Sequence, residues 1–169
     1  TNNGFSNPSF TTHVIANNLD GAYSTYAADL NNDGHIDLLS SSYLDDKVHW
    51  YKNDGSNSFS QHTISSGETN ATSIFATDLD GDSDVDILYA SAGLNKIAYA
   101  LNDGSESPSF IRNGYLTNQD TSTTLLAQGV QSIFAIDVDN DGDTDILSAS
   151  KDDNKIVWYE HDGNLSFTQ

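Results

Sequence analysis

The 169-residue chain has no cysteine, no methionine and only two prolines. Without cysteine there is no disulfide framework and no thiolate chemistry. Positive charge is nearly as scarce. Lys and Arg total 6 against 25 acids, a formal net charge of −19, and Arg112 is the only arginine. That balance repels nucleic acid and anionic membrane surfaces, so neither is an expected partner. No run approaches the ~18 apolar residues of a membrane-spanning helix, and membrane insertion is not expected. The first residues, "TNNGFSNPSF", carry neither an initiator methionine nor a signal peptide, and read as a processed chain or a piece of a longer one. Glutamate is short too: 22 of the acids are Asp, and only Glu68, Glu106 and Glu160 are Glu. A merely solvated acidic surface would use glutamate freely, so the aspartates answer a local demand.

That demand is repeated. "DLNNDGHID" (29–37), "DLDGDSDVD" (78–86) and "DVDNDGDTD" (137–145) hold 13 of the aspartates. Their flanks repeat with them. Upstream stand "STYAAD", "SIFATD" and "SIFAID", with Tyr26, Phe75 and Phe134 in one column. Downstream come "IDLLSSS", "VDILYAS" and "TDILSAS", then "DKVHWYKNDG", "NKIAYALNDG" and "NKIVWYEHDG". The unit closes with "SFSQHTI" (58–64) and "SFIRNGY" (109–115), matched by "SFTTHVI" (9–15) near the start and "SFTQ" (166–169) at the end. The period is 49 residues from Asp29 to Asp78 and 59 from Asp78 to Asp137, the extra ten falling in a polar surface loop around 117–124.

Each unit holds four short runs rich in Val, Ile, Tyr, Phe and Trp, punctuated by Gly, Asn and Asp: strand signals with hairpin turns between them. No stretch sustains a helical period. Four antiparallel strands every 45 to 50 residues predict an all-β fold, a β-propeller built from four-stranded blades. The expected blades are about 22–64, about 71–115 and about 130–169, the last with its outer strand incomplete. Residues 9–15 are expected as the outer strand of a preceding or neighbouring blade.

Within the acidic stretches, oxygen-bearing side chains fall at positions 1, 3, 5 and 9. They are Asp29, Asn31, Asp33 and Asp37 in the first loop; Asp78, Asp80, Asp82 and Asp86 in the second; Asp137, Asp139, Asp141 and Asp145 in the third. Position 7 (His35, Asp84, Asp143) varies, as a residue offering only its backbone carbonyl can. Alternating oxygens round a sharp turn suit Ca²⁺, which takes six to eight oxygens at roughly 2.3–2.6 Å. Zn²⁺ would ask for His or Cys. An EF-hand needs a bidentate Glu at position 12, where Ser40, Tyr89 and Ser148 stand here. Three Ca²⁺ sites, one per blade, are therefore expected. The second loop departs from the pattern, with Gly81 at position 4 and Ser83 where the others have Gly34 and Gly142. A side chain forced to positive φ predicts the weakest of the three sites, unless the turn is rebuilt around Gly81.

The run "ADLNNDGHIDLLSSS…DKVHWYKNDGSNSFSQHTI" resembles the FG-GAP/VCBS repeat family, which includes the integrin α-subunit propeller and many secreted bacterial proteins. The Phe-Gly and Gly-Ala-Pro elements of the integrin repeats are absent, so the similarity is to the bacterial or environmental branch. The resemblance implies calcium in loops at one rim, usually seven blades to a propeller, an extracellular or cell-surface location, and a role in adhesion or ligand recognition. A protein ligand or a glycan fits that role. Membership of a polysaccharide-degrading enzyme would need a Tyr/His/Arg cluster, which a single arginine does not favour, and no catalytic residues are expected.

Trp50, Tyr99 and Trp158 share a column, which predicts packing between blades ahead of sugar stacking. His13 and His62 share another, which predicts a strand role. Three blades fall short of the four to eight that close a propeller. The expected partner is a second copy, docked head to tail so that residues 9–15 complete its last blade, or else the remainder of a longer chain.

Overall fold

The computed structural model describes residues 10–110, 112–116 and 126–169, with Arg112 and Asn113 by backbone alone. Among the described residues there is no helix. The strands form three four-stranded antiparallel sheets. The first blade comprises β1 (Ala22–Ala28), β2 (Asp37–Ser42), β3 (Lys47–Asn53) and β4 (Phe59–Ser66). The second comprises β5 (Ala71–Thr77), β6 (Asp86–Ser91), β7 (Lys96–Leu101) and β8 (Arg112–Tyr115), and the third β9 (Val130–Ile136), β10 (Asp145–Ser150), β11 (Lys155–His161) and β12 (Phe167–Thr168). The chain is a partial β-propeller of three blades.

Register repeats as closely as sequence. Leu39 faces Trp50, Leu88 faces Tyr99 and Leu147 faces Trp158 across equivalent strand pairs. The turn into each third strand places Asp46, Asn95 or Asn154 at φ 58°, 58° and 56°, a conformation that Asn and Asp tolerate better than other side chains.

The innermost strands β1, β5 and β9 lie side by side. Their aromatic column forms a row, with ring centroids 4.7 Å apart for Tyr26–Phe75 and 5.0 Å for Phe75–Phe134. The core sits between blades rather than within one. One face of the first blade (Leu39, Val48, Trp50) packs on the opposite face of the second (Ile74, Ala76, Ile87, Tyr89, Ala98, Ala100). The second blade offers Leu88, Ile97 and Tyr99 in the same way to Ile133, Ala135, Ile146 and Tyr159 of the third. Burying each large apolar side chain in these joints contributes roughly 2–3 kcal/mol. Trp50 and Tyr99 are 3% and 7% exposed where a neighbouring blade covers them, whereas Trp158 is 39% exposed where none does. The column serves packing between blades.

Residues 10–15 form no strand in this chain. Blade 1's outer edge is already taken by β4, so the segment has no free edge beside it. Residues 13–16 and 19 instead flank, with Leu38, Ser40 and Tyr51 of blade 1, a cavity of about 370 Å³. Residue 9 and the polar segment 117–124 lie outside the described residues.

Candidate metal centres

Each acidic loop joins the innermost strand of a blade to the second strand. Its last aspartate, at position 9, opens that second strand and is fully buried in all three blades. A buried carboxylate needs donors, and here backbone supplies them twice over. One oxygen of Asp37, Asp86 and Asp145 accepts the N–H of position 2 (Leu30 at 3.3 Å, Leu79 at 2.8 Å, Val138 at 2.9 Å). The other accepts an N–H at the far end of the third strand (Asn53 at 2.7 Å, Asn102, one residue beyond β7, at 2.8 Å, and His161 at 2.8 Å). One carboxylate thus ties the loop to the far end of the adjoining hairpin. Burial nevertheless pushes the Asp86 carboxyl up to about 6, against the pull of those two N–H groups, and raises Asp37 for the same reason.

Position 1 caps the turn. Asp29 accepts from Asp33 and Gly34 N–H, Asp78 from Gly81 and Ser83, and Asp137 from Asn140 and Gly142. The turn requires positive φ at two places, positions 4 and 6: Asn32 (55°) and Gly34 (83°), Gly81 (78°) and Ser83 (76°), Asn140 (65°) and Gly142 (101°). The second loop has not been rebuilt. It keeps the same path with glycine at position 4, and Ser83 takes the strained conformation.

Positions 1, 3 and 9 converge. In the second loop, carboxylate oxygens of Asp78, Asp80 and Asp86 all lie within 4.8 Å of one another, and those of Asp137, Asp139 and Asp145 do the same in the third. At an effective dielectric of ~20, two ionised carboxylates 4.8 Å apart repel by about 3 kcal/mol. Burial, and then the neighbouring Asp82, raise the Asp80 carboxyl. Among the described residues no ion pair balances these clusters: Lys47–Asp45 and Lys155–Asp153 lie outside the loops. In the first loop Asn31 replaces the middle carboxylate. It is 7% exposed and its Nδ2 donates to Asp33 at 2.8 Å, but its Oδ1 has no hydrogen-bond partner. A buried amide oxygen without a donor, at the place of a carboxylate in the sister loops, is what a cation ligand would look like. The residues present fit a hard divalent cation.

Position 5 stands apart from the two convergent sets. Asp33, Asp82 and Asp141 each accept the N–H of position 7, at 2.9 Å in every loop. The Asn31 amide, helped by the His35 N–H, holds the Asp33 carboxyl low. The position 7 side chains are engaged elsewhere. A Cβ added to Gly55, Gly104 or Gly163 would strike His35, Asp84 or Asp143 respectively, so each lies against the hairpin turn between the third and fourth strands.

Three matches to the FG-GAP-like repeat, at residues 29–89, 78–148 and 137–169, span these loops and their hairpins. The chain belongs to the FG-GAP-like repeat family. No curated protein matches it. Among solved structures it is similar to an Agrocybe aegerita lectin described as specifically recognising non-reducing terminal N-acetylglucosamine, with a TM-score of 0.53 and 20% identity. The match covers 84% of this chain and 36% of the lectin chain, so this FG-GAP-like chain spans about a third of that relative's length. At that identity the likeness is one of fold.

One column of working residues escapes motif reading. Asn53, Asn102 and His161 head the "NDG" and "HDG" turns, where they look like turn formers only. Besides donating to position 9, Asn102 reaches across blades: its Nδ2 donates to the Leu30 carbonyl of the first loop at 2.7 Å and to the Val85 carbonyl at 3.1 Å. Asn53 donates within its own blade, to the Ile36 carbonyl at 3.0 Å. The threefold recurrence of a hydrogen-bonding residue before "DG" was the available signal.

Proposed function

We propose that this FG-GAP-like chain is a calcium-stabilised module of an extracellular protein, serving recognition of a protein or surface rather than catalysis. The observation that carries the calcium assignment is the convergence of positions 1, 3 and 9 in the second and third loops, with no ion pair among the described residues to balance them. Asp78, Asp80 and Asp86 would hold one ion, Asp137, Asp139 and Asp145 a second, and Asp29, Asn31 and Asp37 a third. Asp33, Asp82 and Asp141, with the carbonyls of His35, Asp84 and Asp143, are the further oxygens each loop can offer. A bound Ca²⁺ would supply the positive charge these loops lack. Binding to the folded state alone stabilises by about 2.7 kcal/mol per site at a hundredfold excess over Kd, so three sites give roughly 8 kcal/mol. The test is metal content by mass spectrometry together with thermal melts in calcium, magnesium and chelator. Bound calcium and a melt lowered sharply by chelation are expected. A metal-free protein whose melt ignores chelator would overturn the assignment.

The likeness in fold to a lectin favours a glycan as a second class of ligand. A glycan array that includes terminal N-acetylglucosamine, probed with and without calcium, separates the two. Binding to no glycan, with capture of a protein ligand, leaves the first.

A further inference from the structure

The first two acidic loops are joined by donors for which the second and third loops have no counterpart. One unbroken chain of hydrogen bonds runs between the position 9 carboxylates of the first and second loops. Asp37 accepts the Leu30 N–H at 3.3 Å, the Leu30 carbonyl accepts from Asn102 Nδ2 at 2.7 Å, and the Asn102 N–H donates to Asp86 at 2.8 Å. Three side chains of blade 1 reinforce it. Asn32 Nδ2 donates to the Asp84 carboxylate at 2.9 Å, tying position 4 of one loop to position 7 of the next. Asn31 Nδ2 and Lys52 Nζ donate to the Glu106 carbonyl at 3.4 Å and 3.1 Å, and Asn31 still keeps its Oδ1 free. The next joint loses all four donors: Asp80 stands for Asn31, Gly81 for Asn32, Leu101 for Lys52 and His161 for Asn102. The His161 ring turns to its own hairpin. Its Nε2 accepts the Leu165 N–H at 2.9 Å, and its buried Nδ1 has no hydrogen-bond partner among the described residues. The chain from Asp86 through Leu79 towards Asp145 therefore breaks at one link. A cavity of about 240 Å³ opens there, lined by Leu79 and Gly81 on one side and by Asp143 and His161 on the other.

We infer that the first and second loops take up calcium as a coupled pair, with Asn102 as the positioning residue between them, and that the third loop binds on its own. The inference rests on the calcium assignment above. An ion that fixes Asp37 also fixes Leu30, whose N–H that carboxylate holds. In the first joint the Leu30 carbonyl passes this order to Asn102, and Asn102 passes it to Asp86. The first ion bound therefore lowers the ordering cost met by the second. By reciprocity each ion raises the affinity of the other by the same factor. In the second joint the His161 ring does not take up the Leu79 carbonyl, so ordering the second loop leaves the third unaided.

The test measures calcium binding by calorimetry on whole chains that keep one loop or two. A loop is silenced by exchanging its position 1 and position 5 aspartates for asparagine: Asp29→Asn with Asp33→Asn, Asp78→Asn with Asp82→Asn, or Asp137→Asn with Asp141→Asn. These changes leave every bridging residue in place, and folding is checked by circular dichroism. For each adjacent pair, the constant for filling both loops is divided by the product of the constants for each loop alone. Repulsion between ions lowers this ratio in both joints, so the joints are compared with each other. The ratio should be at least about 5-fold larger for the first and second loops than for the second and third, the low end of common couplings. Asn102→His, which copies the second joint into the first, should remove most of that difference. Asn32→Gly, at an exposed position where glycine keeps the positive φ, should remove part of it. A ratio no larger in the first joint, or a difference that survives both substitutions together, overturns the coupling and leaves the calcium assignment standing. Chains that take up no calcium overturn both.

Discussion

The buried aspartate at position 9 gives the protein a dependence on pH whose sign should reverse with calcium. In the metal-free chain the Asp86 carboxyl titrates at about 6, against 3.8 for an unhindered aspartate. A carboxyl raised on folding stabilises the fold fully below its unfolded pKa and loses that contribution as pH rises through the folded pKa. At neutral pH Asp86 therefore costs the metal-free fold about 3 kcal/mol. Acidifying from pH 7 to pH 5 should return roughly 1 kcal/mol of it. Asp37 and Asp80, raised by the same burial, act in the same direction. Asp33, Asp54 and Asp103, held low by local hydrogen bonds, oppose it only below about pH 4. With calcium bound the carboxylates are already paired with charge, and protons compete with the ion, so acidification should destabilise.

The assay is urea denaturation at pH 7 and pH 5, on protein stripped over a chelating resin and on the same protein in millimolar calcium. A soluble chelator would not serve, because its own grip weakens in acid. Asp86→Asn provides the control. It removes the titration and leaves one of the Leu79 and Asn102 N–H groups without its charged acceptor, at about 1–3 kcal/mol. Its metal-free stability should change with pH by about 1 kcal/mol less than that of the unaltered chain. Metal-free stability that falls from pH 7 to pH 5, or slopes of one sign in both states, would refute the assignment of Asp86 as a penalised buried carboxylate.

Other substitutions probe the loop geometry. Ser83→Gly should stabilise and Gly142→Ser destabilise by similar amounts, about 1 kcal/mol each in the same denaturation series, because the strain of a side chain at positive φ outweighs the freer unfolded chain of glycine. Effects of the same sign would mean the two turns are not equivalent. Gly104→Ala should cost more, about 2 kcal/mol, because φ is 67° and the new Cβ would strike the Asp84 carboxylate. A silent Gly104→Ala would show that the hairpin turn and the acidic loop move apart freely. Asn102→Ala should cost about 1–3 kcal/mol by orphaning the buried Leu30 carbonyl, and Asn53→Ala less, as its bonds stay within one exposed turn. Equal losses would deny Asn102 its role across the blade joint.

Much of this architecture was legible because a propeller blade is a local object. Hydrophobic alternation, turn chemistry and the spacing of oxygen ligands are all written within 50 residues, and three copies in register separate signal from accident. What was not legible depends on neighbours. Ile97 and Ile156 are the same residue in the same column, one buried and one exposed, and only the presence of a following blade distinguishes them. Residues 10–15 have the pattern of an outer strand but form none, because a strand needs an edge to pair with. Ser83 was legible as an exception. That the turn would keep its path and accept the strain was not, since the competing outcome, a turn rebuilt around Gly81, is written in the same nine residues.

The position 9 aspartates would couple ion binding to blade formation. Each begins the second strand, holds the loop by the N–H of position 2, and holds the end of the third strand by a second N–H. The Asp86 and Asp145 carboxylates are also drawn into the clusters where an ion would sit. The carboxylate charge is thus what the hairpin's donors bind and what the ion would bind, from opposite sides. Backbone donors hold the position 9 carboxylate in the same way in all three loops. They do not balance its charge, as the raised Asp86 carboxyl indicates. An ion bound in these loops would relieve that repulsion. Because the same carboxylate anchors the hairpin, that relief reaches the strands and, through Asn102, the loop of the preceding blade.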